Sequence, residues 1–199
     1  MYFKDFYEIG QNTKAWNCDK GTSHSYIEYY YDREFSNIRP ANLNFLEIGI
    51  WEGSSLKLWK SWFVNANIVG IDNSKGIFDN IKRNNFTSIP GATILWDDAY
   101  SDNVVKTFND NYFDYIIDDG PHTLDSHILC IEKWLPKLKP GGKLIIEDLY
   151  YLSESPAPLV GEDLIKHIDT SLYTYKFFDL RKVRLRGDDI ILEITKKQL

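Results

Sequence analysis

Residues 44–59, NFLEIGIWEGSSLKLW, decide the fold. The run Asn44–Ile50 is apolar on successive positions, interrupted only by Glu47, which is the pattern of a strand covered on both faces. It passes through Gly49 and Gly53 straight into Ser54–Phe63, where Leu56, Trp59 and Phe63 recur at helical spacing. A buried strand, a glycine-bearing turn and a helix make the opening unit of a parallel sheet wrapped by helices. The same grammar continues outward, with apolar runs at Asn67–Ile71, Ala92–Trp96, Phe113–Ile117 and Lys143–Ile146. Between the last two, Leu124, Ile128, Ile131 and Leu135 form one stripe within a helix expected over Thr123–Leu138, which Pro140, Gly141 and Gly142 stop.

A further helix is expected around Glu162–Thr170. Two strand-like runs follow, Tyr173–Leu180 and Asp189–Thr195, and their junction through Arg186, Gly187 and Asp188 predicts an antiparallel hairpin. The fold class is therefore α/β, a Rossmann-like doubly wound sheet that is mostly parallel with a C-terminal antiparallel hairpin. It is expected over residues 41–199, with a helical N-terminal extension over 1–40 packing near the active site.

Composition narrows the function classes. A chain of 199 residues with 43% hydrophobic residues can bury a full core without disulfides. Cys18 and Cys130 stand apart, without metal-ligand spacing, and read as reduced core thiols. The net charge of −6 disfavours a nucleic-acid partner, which demands a basic surface. No run approaches the ~20 apolar residues of a membrane span, and Asp5 and Glu8 fall where a signal peptide is apolar. A cytoplasmic protein acting on a small molecule, a sugar for example, is expected, and the aromatic-rich N-terminus makes a homodimer plausible.

The chemistry gathers at the predicted strand ends, where open parallel sheets bind their ligands. Glu47, Gly49 and Gly53 give an acid, one residue, a glycine, three residues and a second glycine. Asp72 follows 25 residues after Glu47, placed to accept ribose hydroxyls. Trp51 and Ser54 break the GxGxxG fingerprint, which argues against a nicotinamide cofactor. Asp97 and Asp98 end the third strand, with Trp96 or Tyr100 near an adenine ring; a plain turn explains that pair equally well. The fourth strand ends in Asp118, Asp119, Gly120, Pro121, His122 and the fifth in Glu147, Asp148. Adjacent carboxylates at a buried strand mouth need a cation or hydrogen bonds. Asp119, Glu147 and Asp148, without His or Cys among them, suit Mg²⁺ or another hard divalent ion, and His122 can take a proton near neutrality. The plainer alternative is that Asp119 caps the following helix and His122 lies in its first turn.

With these residues in place, the sequence resembles the class I S-adenosylmethionine-dependent methyltransferases, in particular the metal-dependent macrolide and glycan sugar O-methyltransferases. The resemblance is carried by DKGTSHSY (Asp19–Tyr26), FLEIGIWEGSSLKLW (Phe45–Trp59), NIVGID (Asn67–Asp72), YIIDDGPH (Tyr115–His122) and LKPGGKLIIEDL (Leu138–Leu149). It implies S-adenosyl-L-methionine and Mg²⁺ as cofactors. It also implies Asp119, Glu147 and Asp148 as metal ligands, His122 as base with Asp119 in the catalytic pair, and Glu47, Gly49, Gly53, Asp72, Asp98 and Asp118 on the cofactor. Pro121 departs from the family, which more usually has a small polar residue there. Two other classes remain open from the residues alone: another Rossmann-type enzyme, such as an oxidoreductase or hydroxylase-like relative, and a non-catalytic cofactor-binding module.

Three segments complete the reading. Tyr150–Gly161 is expected as a loop over the substrate mouth, with Tyr150 and Tyr151 against a sugar ring or packed on the domain. Lys20, Thr22, His24 and Tyr26 are expected to close over the cofactor, or else Thr22 or Ser23 caps an aromatic-rich helix. Lys182, Arg184 and Arg186 alternate with Val183 and Leu185, as on a solvated edge strand.

Overall fold

The five apolar runs and the two strand-like runs become strands: β1 (Asn44–Ile48), β2 (Asn67–Ile71), β3 (Ala92–Leu95), β4 (Phe113–Asp118), β5 (Leu138–Ile146), β6 (Tyr173–Asp179) and β7 (Ile190–Lys196). The structure is a computed structural model and describes residues 1–73, 88–149 and 163–198. The strands form one sheet in the order β3-β2-β1-β4-β5-β7-β6. Neighbours from β3 to β5 are parallel, whereas β7 runs antiparallel to both β5 and β6. The expected α/β class, mostly parallel with a terminal antiparallel hairpin, is what forms.

Helices cover both faces. They are α1 (Phe3–Asn12), a π-helical turn (Ile27–Tyr31) that runs into α2 (Asp32–Phe35), α3 (Ser54–Trp62), α4 (Asp102–Val105), α5 (Leu124–Trp134) and α6 (Arg181–Arg184). Strand alternation sorts the core into two layers. Leu46, Ile48, Ile116, Leu144 and Ile146 pack with α5 residues Cys130, Ile131 and Trp134. Phe45, Ile117 and Ile145 point the other way, into a layer built from Phe3, Tyr30, Tyr31, Phe35, Trp59 and Trp62. Both cysteines are free and buried, as read. Among the described residues no helix is long and apolar enough to cross a membrane.

Three local expectations are corrected. The helix expected over Thr123–Leu138 ends at Trp134, and Leu135–Lys137 form a 3₁₀ turn. Strand β5 then begins at Leu138, so Pro140, Gly141 and Gly142 lie inside the strand, at a register shift opposite Phe113 and Tyr115. A side chain at Gly142 would meet the carbonyl oxygens of Lys139 and Phe113, so the glycine lets two backbones close up there. Asp119 does not cap α5; the side chain of Thr123 accepts from Ser126 N in a reciprocal capping box. The basic run is helical at Arg181–Arg184 and ends with Leu185 at φ 57°, so Lys182 and Arg184 do not alternate along an edge strand. Arg184 donates instead to the carbonyls of Thr22 (2.7 Å) and Gly21 (3.1 Å). The expected loop at Tyr150–Gly161 lies outside the described residues. Of the expected helix at Glu162–Thr170, the described part is helical over 163–165 only.

Candidate active site

The ends of β1, β2, β4 and β5 meet at one rim, tied by backbone bonds from Gly49 N to Ile71 O (2.9 Å), Asp119 N to Ile48 O (2.9 Å) and Glu147 N to Asp118 O (3.0 Å). Above it opens a cavity of about 800 Å³, within the ordinary size of a small-molecule site. Gly49 (φ 79°) lets the ends of β1 and β4 approach this closely, because a side chain there would run into the backbone carbonyl of Asp119. Asp72, buried at the end of β2, accepts the amides of Ile50 (3.0 Å) and Trp51 (2.9 Å) on one carboxylate oxygen. It thereby fixes the first βα turn.

Three non-glycine residues of the cavity wall hold left-handed backbone: Trp51 (φ 45°), His122 (φ 54°) and Asp148 (φ 55°). Such conformations cost of order 1 kcal/mol or more each and persist where surrounding contacts impose them. Here they aim an exposed indole, an imidazole and a carboxylate into one space. His122 Nε2 lies 3.7 Å from Asp119 Oδ1 and 3.9 Å from Asp148 Oδ2. Ligand atoms of these three residues all fall within 4.8 Å of one another.

Of the residues read from sequence, Gly49, Asp72, Asp98, Asp119, His122 and Asp148 line the cavity. Asp98 accepts Tyr100 N at 2.9 Å, closing the turn after β3. Glu47, Gly53, Asp118 and Glu147 lie behind the wall. Glu47 is fully buried, takes Ser55 Oγ at 2.9 Å on Oε2 and is pushed up to about 7 by burial, against the pull of Lys20. Gly53 (φ 71°) sits at the N-cap of α3. Asp118 is equally buried; Tyr100 Oη donates to Oδ1 at 2.6 Å, and burial raises its carboxyl to about 6. Glu147, expected on a cation with Asp119 and Asp148, has protein donors on both oxygens, Lys20 Nζ on Oε2 and Tyr31 Oη on Oε1.

The N-terminal segment supplies these donors. Lys20 Nζ also binds Asp119 Oδ2 (2.6 Å) and lies 3.9 Å from Glu47 Oε1. Burial alone favours a neutral amine, but the Asp119, Glu147 and Glu47 carboxylates override it and hold Lys20 charged. Tyr26 Oη donates to Asp148 Oδ1, while His24 Nδ1 and Ser25 Oγ, each at 2.8 Å, meet the two oxygens of buried Asp189. Lys20, Thr22, His24 and Tyr26, read from DKGTSHSY as closing over the cofactor, do not line the cavity; Lys20, His24 and Tyr26 bind the acids Glu147, Asp189 and Asp148 instead. The sequence reading missed Tyr31 and Asp189. The available signal was the number of acids at buried strand ends, each of which calls for a donor from elsewhere in the chain.

The chain is 32% identical over 130 residues to the mycinamicin VI 2''-O-methyltransferase of Micromonospora griseorubida, covering 61% of this chain and 31% of that protein. It is 28% identical over 152 residues to the demethylmacrocin O-methyltransferase of Streptomyces fradiae, covering 72% and 36%. It thus spans about a third of the length of these curated relatives. Among solved structures, the MycE methyltransferase of the mycinamycin biosynthetic pathway, in complex with Mg, SAH and mycinamycin VI, superposes with a TM-score of 0.65 at 20% identity, over 90% of this chain and 51% of that one. A family model described as a methyltransferase domain matches residues 46–149, from β1 past the end of β5. That match takes in just over half of the chain and every strand-end residue of the cavity wall, and the chain belongs to the methyltransferase-domain family.

Proposed function

We propose that this chain carries out S-adenosylmethionine-dependent O-methylation of a hydroxyl on a sugar or glycan, assisted by a divalent cation. The observation that carries the reading is the convergence of His122 Nε2 with one oxygen each of Asp119 and Asp148 on the wall of the strand-end cavity. The macrolide sugar O-methyltransferases among its relatives support the acceptor class.

The residues present fit a nucleoside. Gly49, Asp72 and Asp98 stand at successive strand ends along the same wall. When bound, S-adenosylmethionine supplies an electrophilic methyl group, so the chain has mainly to orient an oxygen and remove its proton. His122 is the group that takes the proton, and the carboxylates of Asp119 and Asp148, 3.7 and 3.9 Å from its Nε2, balance the charge it acquires. A divalent ion would be held by Asp119 and Asp148, where it would orient neighbouring hydroxyls and make them more acidic. Exposed Trp51 at the cavity wall offers a flat apolar surface for a sugar ring.

Calorimetric titration with S-adenosylmethionine, S-adenosylhomocysteine and NAD, followed by methyl transfer to a panel of sugar nucleotides with and without Mg²⁺, tests the proposal. Micromolar binding of the two adenosyl compounds, none of NAD, and transfer abolished by chelation are expected. His122→Ala should lower turnover by about 10²–10⁴-fold with S-adenosylhomocysteine affinity kept within about twofold. Binding of NAD alone, or cofactor binding that collapses on chelation, sinks the reading.

A further inference from the structure

Asp148 faces the cavity from a backbone that few side-chain-bearing residues adopt unaided. It stands just beyond β5 at φ 55°, with Oδ2 turned toward His122 Nε2. Its other oxygen is taken from behind the wall. Tyr26, 1% exposed and not lining the cavity, donates its hydroxyl to Asp148 Oδ1 and accepts the Asp148 amide at 3.4 Å. One hydroxyl thus grips both the side chain and the main chain of the left-handed residue, which is how surrounding structure imposes such a conformation. Tyr26 is itself braced. Its ring stacks on His24 with centroids 4.9 Å apart, His24 Nδ1 meets Asp189 Oδ1 at 2.8 Å, and Ser25 Oγ donates to Asp189 Oδ2 at 2.8 Å. Asp189 is fully buried beside the start of β7, so the brace ends in the sheet. A neutral hydroxyl orients a carboxylate without cancelling its charge, and Asp148 keeps its full attraction for a cation in the cavity.

We propose that Tyr26 is a positioning residue for the reaction: its hydroxyl, braced through His24 by Asp189, locks Asp148 in the left-handed conformation that presents Oδ2 to the cavity. The inference rests on the cation-assisted reading above and adds to it the group that aims one of the acids. The chain carries its own control. Tyr30, also fully buried and also away from the cavity, donates in the same manner to Glu193 Oε2 at 2.7 Å. Each of the two tyrosines gives a carboxylate one buried hydroxyl, but only Tyr26 gives it to an acid of the cavity wall.

Titration of the full chain with Mn²⁺, free ion being read by electron paramagnetic resonance, tests the assignment without any turnover. Tyr26→Phe keeps the ring on His24 and should weaken Mn²⁺ about tenfold, the size expected when a partner that orients a metal ligand is lost. Asp148→Asn should weaken it at least as much. Tyr30→Phe should lose stability in urea as Tyr26→Phe does, yet leave Mn²⁺ within about twofold of the unsubstituted protein. Should Tyr26→Phe fail to fold, Asp189→Asn loosens the brace with the Tyr26 hydroxyl still in place and should weaken Mn²⁺ about threefold, less than direct loss of the orienting group. Equal weakening by Tyr26→Phe and Tyr30→Phe would mean a structural role alone and overturns the inference. Mn²⁺ affinity unchanged in folded Tyr26→Phe, or in Asp189→Asn where that variant stands in, overturns it as well. If Asp148→Asn still weakens the ion in that case, the cation-assisted reading survives. Absence of Mn²⁺ binding to the unsubstituted chain at millimolar ion defeats the cation-assisted reading and this inference together. S-adenosylhomocysteine titrated into the same samples should bind every folded variant within about twofold; its loss in Tyr26→Phe would place Tyr26 on the nucleoside and overturn the assignment to Asp148.

Discussion

The two faces of the sheet bury acids at the same rim and treat them differently. Along β1 and β5, alternation sends Glu47 and Glu147 to the face lined by Phe3, Tyr30, Tyr31, Phe35, Trp59 and Trp62. Along β4 it sends Asp118 to the opposite face, which is mostly aliphatic, with Phe113, Trp134 and Tyr173 as its buried aromatics. On the first face the acids meet Lys20, Tyr31 and Ser55, with Glu47 Oε1 3.9 Å from the Lys20 ammonium; on the second, Asp118 has, among the described residues, only the Tyr100 hydroxyl and the Cys130 thiol, and no cation. The difference follows from chemistry. Tyrosine brings a large apolar body and a donor at its tip, so a tyrosine-bearing layer can fill space and satisfy carboxylates at once. Leucine, isoleucine and valine fill space only.

The largest test of this contrast is Trp59→Ala. Trp59 contacts Phe3, Tyr31, Phe35 and Phe45 at centroid distances of 5.2–5.8 Å, and its loss should cost about 3–5 kcal/mol in urea unfolding. Next comes Tyr31→Phe, which keeps the ring against Phe35 and Trp59 but leaves Glu147 Oε1 without a donor; about 1–3 kcal/mol should be lost. Asp118→Asn should act in the opposite sense. Burial raises Asp118 from 3.8 to about 6, so the folded chain holds a proton that the unfolded chain releases, and this group's contribution to stability falls as pH climbs through that window. Below the window the substitution should be nearly neutral, and at pH 8 it should stabilise by roughly 1–2 kcal/mol, less than the full shift because the bond from Tyr100 to a charged acceptor is weakened. Paired unfolding curves at pH 4 and pH 8 read this directly, and a loss at pH 8 would mean that the aliphatic face partners Asp118 as well as the aromatic face partners Glu147. The smallest effect is Ile116→Val on the aliphatic face, about 0.5–1.5 kcal/mol.

The five parallel strands were legible because continuous apolar runs between turn residues have few other solutions. The start of β5 was not. Pro140, Gly141 and Gly142 punctuate a helix as readily as they shape a bulged strand, and only pairing with β4 chooses between them. The basic run misled for a related reason. Alternation over five residues is too short to distinguish a strand from one helical turn, and contacts of Arg184 with the carbonyls of Gly21 and Thr22, far away in sequence, accompany the turn. At the site, the acids and His122 could be picked out one by one, since each ends a recognisable strand. Which acids face the cavity could not, because that depends on Lys20, 99 residues from Asp119 and 127 from Glu147.

The single reversed strand has a consequence for how the site is assembled. Because β7 runs against its neighbours, it is the beginning of that strand, and not its end, that arrives beside the tips of β5 and β6. Asp188 and Asp189 are thereby delivered to Tyr26 and His24, joining the last quarter of the chain to a pocket otherwise made by the first three. Residues inserted into the β6–β7 connection should disturb the pocket, whereas insertions between α4 and β4, which lead into the opposite end of the parallel strands, should leave it intact.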